Sequence, residues 1–343
     1  MSTTPRTRRR QGGFSIIELM VGVTLGLMLV AGLALLFANS SQSSAEHEKS
    51  LRQIENGRYA VDLLTEDLSV AGYFGEAVAE GLAATVSPCS ASAAVAADLE
   101  AKRAATPATL PFGVQGLTPE EAAALGCLDH HLAGTPAIVV RRLATAAVPV
   151  ASMEAGHVYL QASNNPADLN ATYLAATDAA SLVLKDMDGT VNKVRRYVSR
   201  VYYVSSCSDC AVDTIPTLKR LELQGGGVVA APLAEGIERI GFDYGFDTDA
   251  NGVPDSWIGL NGAGASAAAT AAAAKGWENA VAVRVYLVAR TTEPSPAFND
   301  ARTYEIGLDG DATPVVAGPF NDAFKRRAYV TTARLNSIAG LRE

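Results

Sequence analysis

The sequence predicts an α+β fold, a long N-terminal helix followed by an antiparallel β-sheet domain. Three observations predict it. Residues 14–38 (FSIIELMVGVTLGLMLVAGLALLFA) are an apolar run of 25 residues with a single charge, Glu18. Helical spacing continues past this run, with Leu51, Ile54, Val61, Leu64 and Leu68 on one face. From Pro136 onward the apolar residues fall into short runs bounded by turn residues. A helix first and many strands afterwards is the order of an α+β domain.

The N-terminal element is the most informative. Residues 1–13 (MSTTPRTRRRQGG) carry Arg6, Arg8, Arg9 and Arg10 and no acid. The apolar run would form a helix about 37 Å long, against a bilayer hydrocarbon thickness of about 30 Å. Basic residues before it, and Glu46 and Glu48 after it, orient the N-terminus to the cytoplasm and the bulk of the chain outside. A carboxylate inside the membrane costs about 2.5–3.5 kcal/mol on insertion scales, so it needs a partner. Neither a plain anchor nor a secretory signal cut near Ala38 gives Glu18 a role. A cut between Gly13 and Phe14 does, because it creates an α-amino group able to neutralise a carboxylate.

GFSIIELMVG, Gly13 to Gly22, resembles the class III leader of type IV prepilins and type II secretion pseudopilins. That resemblance implies cleavage after Gly13 by a membrane peptidase, N-methylation of Phe14 and a role for Glu18 in assembly. It further implies a cleaved leader (1–13), a transmembrane helix (14–38), a periplasmic continuation of that helix (39–70) and a pilin-like globular head (71–343). The mature chain would then have 343 − 13 = 330 residues and a net charge of −8 − 4 = −12. Leu35 stands where major pilins often carry a kinking proline, which suits a minor pilin.

With no proline between Pro5 and Pro88, one helix is expected from about Phe14 to Val70, stopped near Gly72. Residues 76–135 are Ala-rich and weakly patterned, with a short helix expected at Glu120–Leu125. Strands are expected at Ala137–Arg142, Val158–Ala162, Leu182–Lys185, Val194–Val204, Leu218–Leu223, Ile237–Phe246, Ala280–Arg290 and Arg327–Leu335. Asp188-Gly189 is a hairpin signal, and Gly262–Ala274 reads as a loop or short helix. PLAEGIERIGFDYGFD, ENAVAVRVYLVART and FKRRAYVTTARLNSIAG resemble the PilW minor pilins, a family related to the J-type pseudopilins.

Four cysteines, Cys89, Cys127, Cys207 and Cys210, would lie in a compartment where disulfides persist. The favoured pairing is Cys89–Cys127 and Cys207–Cys210. C-S-D-C is also the spacing of a redox pair, but such pairs sit at a helix N-terminus, whereas this one follows the strand-like VYYVS. A structural bridge is therefore the favoured reading, ahead of a redox pair or a four-cysteine zinc site. Asp247, Asp249, Asn251, Gly252 and Asp255 match positions 1, 3, 5, 6 and 9 of a calcium loop, with the Val253 carbonyl at position 7. Ile258 replaces the bidentate acid at position 12, so a Ca²⁺ loop and a solvated turn both remain open.

His130 and His131 are adjacent, so their side chains should diverge; Gly225–Gly227 reads as a turn. Arg326-Arg327 could make an anionic contact but is expected as a strand-entry surface pair, and Asn170-Ala-Thr172 matches a glycosylation sequon. A net charge of −8 excludes general nucleic-acid binding, and no HExxH, GxSxG or P-loop points to an enzyme. The resemblances imply a minor pilin of the inner membrane that is later carried into the pilus. It would help prime pilus assembly in a tip complex with other minor pilins, the major pilin and a tip adhesin. A J-type pseudopilin and a membrane-anchored periplasmic enzyme or sensor are the alternatives.

Overall fold

In the computed structural model the described residues are 13, 15–163, 165, 168, 173–262, 265–310 and 313–340. Phe14, the arginines of the leader and the sequon at Asn170 lie outside them. The chain divides into two units, residues 1–50 and 51–343. A helix, α1, runs Ile16–Ser69. In the first unit it carries the apolar run, and its large apolar side chains from Ile16 to Phe37 are exposed.

The second unit begins with the remainder of α1 and continues through β1 (Gly81–Ala83), α2 (Ser92–Ala104), β2 (Thr109–Pro111), β3 (Val114–Leu117), α3 (Pro119–Ala124) and β4 (Ala137–Leu143). It goes on through β5 (Tyr159–Ala162), β6 (Tyr173–Ala176), β7 (Arg195–Ser205), β8 (Thr217–Gln224), β9 (Gly227–Glu235) and β10 (Ile237–Phe246). Next come β11 (Ser256–Leu260), α4 (Ala265–Lys275), β12 (Ala280–Arg290), β13 (Tyr304–Gly310), β14 (Thr313–Ala317), β15 (Arg326–Arg334) and α5 (Asn336–Ala339).

Two antiparallel sheets carry the domain, beside a short parallel pair of β1 and β2. One has the order β14-β13-β11-β10-β12-β15. In the other, β7 pairs with β4 along one edge and with β5 and then β8 along the other, and the sheet is extended by β3, β6 and β9. The main core lies where Ala60, Leu64 and Leu68 of α1 meet Ile138, Tyr202, Ile240, Phe242, Val283 and Val285. β12 forms because its alternating Val and Ala residues suit a strand between two neighbours, β10 and β15.

Three expectations need correction. Leu51 is 58% exposed, and the buried stripe of α1 is instead Gln53, Gly57, Ala60, Leu64, Asp67 and Leu68. Close packing explains this, since a Cβ on Gly57 would collide with the Tyr329 ring. Leu182–Lys185 is not a strand, because only Lys185 bridges Val191 around the Asp188-Gly189 turn. Arg326 is not a surface residue; its side chain is wholly buried among carboxylates. The weakly patterned stretch 76–135 holds α2, α3 and three short strands.

Candidate functional site

At the head of α1, Ser15 and Glu18 form a reciprocal cap. The Ile17 amide donates to Ser15 Oγ (3.3 Å), and the Ser15 amide donates to Glu18 Oε2 (3.0 Å). Glu18 thereby serves one of the amides that a helix start leaves without an intrahelical acceptor. The S-x-x-E spacing was the signal for this cap in the sequence. Farther along, the Thr24 hydroxyl donates to the carbonyls of Met20 and Val21, so the apolar run offers no unsatisfied hydroxyl there. None of its most apolar 18-residue window is buried, as a helix covered by lipid or by other helices requires. Gly13, the residue before the expected cut, is exposed.

In the second unit α1 is pinned by polar contacts that the apolar pattern did not reveal. Gln53 Nε2 donates to the carbonyls of Ala289 (2.7 Å) and Lys325 (2.9 Å). Asp67 accepts from Tyr202 Oη (2.7 Å), Arg142 Nε (2.9 Å) and Arg200 Nη1 (2.9 Å). Burial first, then the Asp67 charge, push the Tyr202 hydroxyl well above its ordinary range. Nearby, Arg326 donates to Glu238, Asp300 and Asp322 and stacks over Phe320 at 3.7 Å.

All four cysteines are bridged, Cys89 to Cys127 and Cys207 to Cys210, with Cα–Cα distances of 5.9 and 5.0 Å. This is the expected pairing, and it removes a four-cysteine zinc site. Cys207–Cys210 closes the turn between β7 and β8, with no helix at the motif. His130 and His131 diverge, and His131 Nε2 is 2.9 Å from the Thr135 carbonyl oxygen. Burial lowers the pKa of the His131 ring, partly offset by that contact. Gly225 and Gly226 have φ of +61° and +95° and make the expected turn.

Between β10 and β11, Asp247 is buried and organises its loop. Its Oδ1 accepts from the amides of Ala250 (2.8 Å) and Asn251 (3.3 Å), and Oδ2 accepts from Gly252 (3.0 Å). Asp255 Oδ2 accepts from the Thr248 amide and hydroxyl, both at 2.7 Å, which hold its carboxyl below the usual range. One oxygen each from Asp247, Asp249 and Asp255 lie within 4.8 Å of one another. Asn251 Nδ2 donates to Asp249, and the Val253 amide donates to Asn251 Oδ1. The loop is thus a hydrogen-bonded turn in which three carboxylates converge.

A capped, fully exposed apolar helix at the N-terminus and a following unit of antiparallel sheets define a pilin-like α+β chain carrying a prepilin-type leader. The prokaryotic N-terminal methylation motif matches residues 8–34. The family model described as type IV pilus-assembly protein W matches residues 201–337, from within β7 to α5. Together these matches support a type IV pilus-related pilin and are consistent with a PilW-family minor pilin. No curated protein and no solved structure matches it.

Proposed function

We propose that this chain is a minor pilin that helps prime pilus assembly and takes its place in a tip complex with other minor pilins. In this reading it is inserted in the inner membrane with its N-terminus in the cytoplasm. It is cut between Gly13 and Phe14, methylated at Phe14 and transferred to the pilus. The exposed apolar helix beginning at Ile16, with Glu18 at its head, is the observation that carries the reading. Such a helix needs either lipid or a bundle of like helices around it. In this reading the carboxylate that caps its own chain receives a neighbour's amine once the leader is gone. The role is structural, and the prepilin peptidase, the other minor pilins, the major pilin and a tip adhesin are its partners.

Intact-mass measurement and N-terminal sequencing of the membrane-extracted protein test this. The expected product is a chain of 343 − 13 = 330 residues starting at methylated Phe14. Substituting Gly13 with a bulkier residue should block the cut. Retention of Arg6–Arg10, or a cut near Ala38, would refute the reading. Service in secretion rather than in a pilus would appear as normal piliation and impaired export on deletion, pointing to a J-type pseudopilin.

The convergence of Asp247, Asp249 and Asp255, with Asn251 hydrogen-bonded to Asp249, favours a second reading, weak Ca²⁺ binding by this loop, in which the Val253 carbonyl would be a further ligand.

A further inference from the structure

The sulfurs of the β7–β8 turn have neighbours that a bridge serving only the fold does not require. Lys219 on β8 is 4% exposed, and its Nζ lies 3.8 Å from Cys210 Sγ and 3.6 Å from Asp129 Oδ2. A buried ammonium gains little from a neutral disulfide sulfur and far more from a thiolate. Cys207 Sγ is 3.8 Å from both Ser205 Oγ and Ser206 Oγ; Ser205 donates its proton to the Asp129 carbonyl (3.1 Å), and the Ser206 hydroxyl can donate to the sulfur. A ring nitrogen of His130 and the two sulfurs all lie within 4.8 Å of one another.

His130 comes from the loop between α3 and β4 and is held at a φ of +48°. Donors from three separate stretches of chain therefore meet at this one bridge. The carboxylates of this region are Asp129, Asp209 and Asp213; Asp209 accepts from the Ala211 amide, and Asp213 is engaged by the amides of Ser208, Asp209 and Ile215. The other bridge is different in kind. Cys89 Sγ lies 3.5 Å from the Leu125 carbonyl oxygen, an acceptor that would oppose a thiolate.

We propose that Cys207–Cys210 is a thiol–disulfide exchange site, opened by a dithiol protein reductant while Cys89–Cys127 stays closed. Cys207 is buried and Cys210 half-buried, so the reductant's thiolate attacks Cys210 Sγ. The Sγ–Sγ bond breaks, and its electron pair leaves on Cys207 Sγ, toward the Ser206 hydroxyl. The reductant's second thiol, losing its proton, then attacks its own sulfur in the mixed disulfide and leaves oxidised. Two electrons have passed to the chain. Cys207 takes up a proton to become a thiol, and Cys210 remains a thiolate beside the Lys219 ammonium. Oxidation by a disulfide partner reverses each step. Opening releases the Ser206–Pro216 turn, which lies in the segment matching the pilus-assembly family.

The test equilibrates full-length protein in detergent at pH 7 across ratios of reduced to oxidised dithiothreitol. Free thiols are trapped with N-ethylmaleimide and assigned by peptide mass spectrometry. Cys207 and Cys210 should open at a ratio about tenfold or more below that for Cys89 and Cys127. Lys219→Met should raise the ratio about tenfold, roughly 30 mV for a two-electron couple, while Lys219→Arg keeps the wild-type behaviour. Near-UV circular dichroism identifies the variants that retain the fold. The order of opening in the wild-type protein needs no variant, so it decides the matter even where Lys219→Met does not fold. Simultaneous opening, earlier opening of Cys89–Cys127, or a folded Lys219→Met that opens like wild type would overturn the proposal.

Discussion

Replacing Arg326 by methionine should be among the most damaging single changes in the head. The guanidinium makes six hydrogen bonds, to Glu238, Asp300, Asp322 and the Phe324 carbonyl, and its side chain is fully buried. Methionine fills similar space but takes from Glu238 and Asp300 their buried cation, leaving Arg290 and Arg302 at their edges. Breaking a buried ion pair by removing one partner costs about 3–5 kcal/mol. The lower end applies here, because Asp300 keeps the Tyr304 hydroxyl at 2.9 Å and Glu238 keeps Arg290 at 3.8 Å. With a urea m-value of about 3 kcal/mol/M, a loss of about 3 kcal/mol lowers the unfolding midpoint by about 1 M.

The assay is tryptophan fluorescence in urea on the protein in mild detergent, since both tryptophans, Trp257 and Trp277, belong to the head. The pH dependence gives a second check. Hydrogen bonding from Arg326 holds the Asp322 carboxyl below its usual range. Burial raises the Asp300 carboxyl, but hydrogen bonds from Tyr304, Arg302 and Arg326 outweigh it and leave it lowered too. Carboxyls depressed in the fold stabilise it above their unfolded pKa, and that stability is lost as pH falls through the folded value. The gap between wild type and variant should be full at pH 7 and shrink below about pH 4. An unchanged midpoint at pH 7, or a gap that widens in acid, would refute the reasoning.

Gly57→Leu should destabilise the head by at least about 1–3 kcal/mol, because the new side chain meets the Tyr329 ring, and thermal melting reads the loss. A smaller residue at Tyr329 should recover part of it. Glu18→Ala should leave the protein cleaved and membrane-resident but reduce co-purification of other minor pilins and the number of pili. Glu18→Gln keeps a capping acceptor without the charge, so wild-type assembly in that variant would assign Glu18 to capping alone. Millimolar Ca²⁺ should raise the melting temperature relative to chelator, and Asp247→Ala should abolish the shift; equal melting would return the loop to an ordinary turn.

The N-terminal element and the strands β4, β5, β7, β8, β10, β12 and β15 were legible because each rests on a local pattern, an unbroken apolar run or a β-branched alternation. α2 was not. It is Ala-rich and has no side-chain cap at Ala91, so nothing local marks its start. β9 was hidden by Pro232, which an edge strand tolerates, and by the glycines before it. Arg326 was misread because two adjacent arginines resemble a solvated pair. Strand alternation sends them to opposite faces, and of the three acids that receive Arg326 only Asp322 is local, four residues earlier, while Glu238 and Asp300 come from distant segments. Lys219 escaped notice for the same reason, since its relation to Cys210 and Asp129 exists only once β7 and β8 pair.

The polar pins on α1 show what the apolar pattern could not specify. Ala60, Leu64 and Leu68 fix which face of the helix turns inward, but small and aliphatic side chains tolerate displacement along the axis. Hydrogen bonds do not, because they weaken steeply with distance and angle. Gln53 binds two carbonyls from β12 and the segment before β15, Asn56 donates to the Glu235 carbonyl at 3.1 Å, and Asp67 collects three donors from β4 and β7. These contacts lie at both ends of the 51–69 segment and reach both sheets. Each buried polar atom would cost free energy if the helix slid and left it unpaired, which favours the seated register. Apolar burial thus supplies most of the attachment, and the polar contacts select its position.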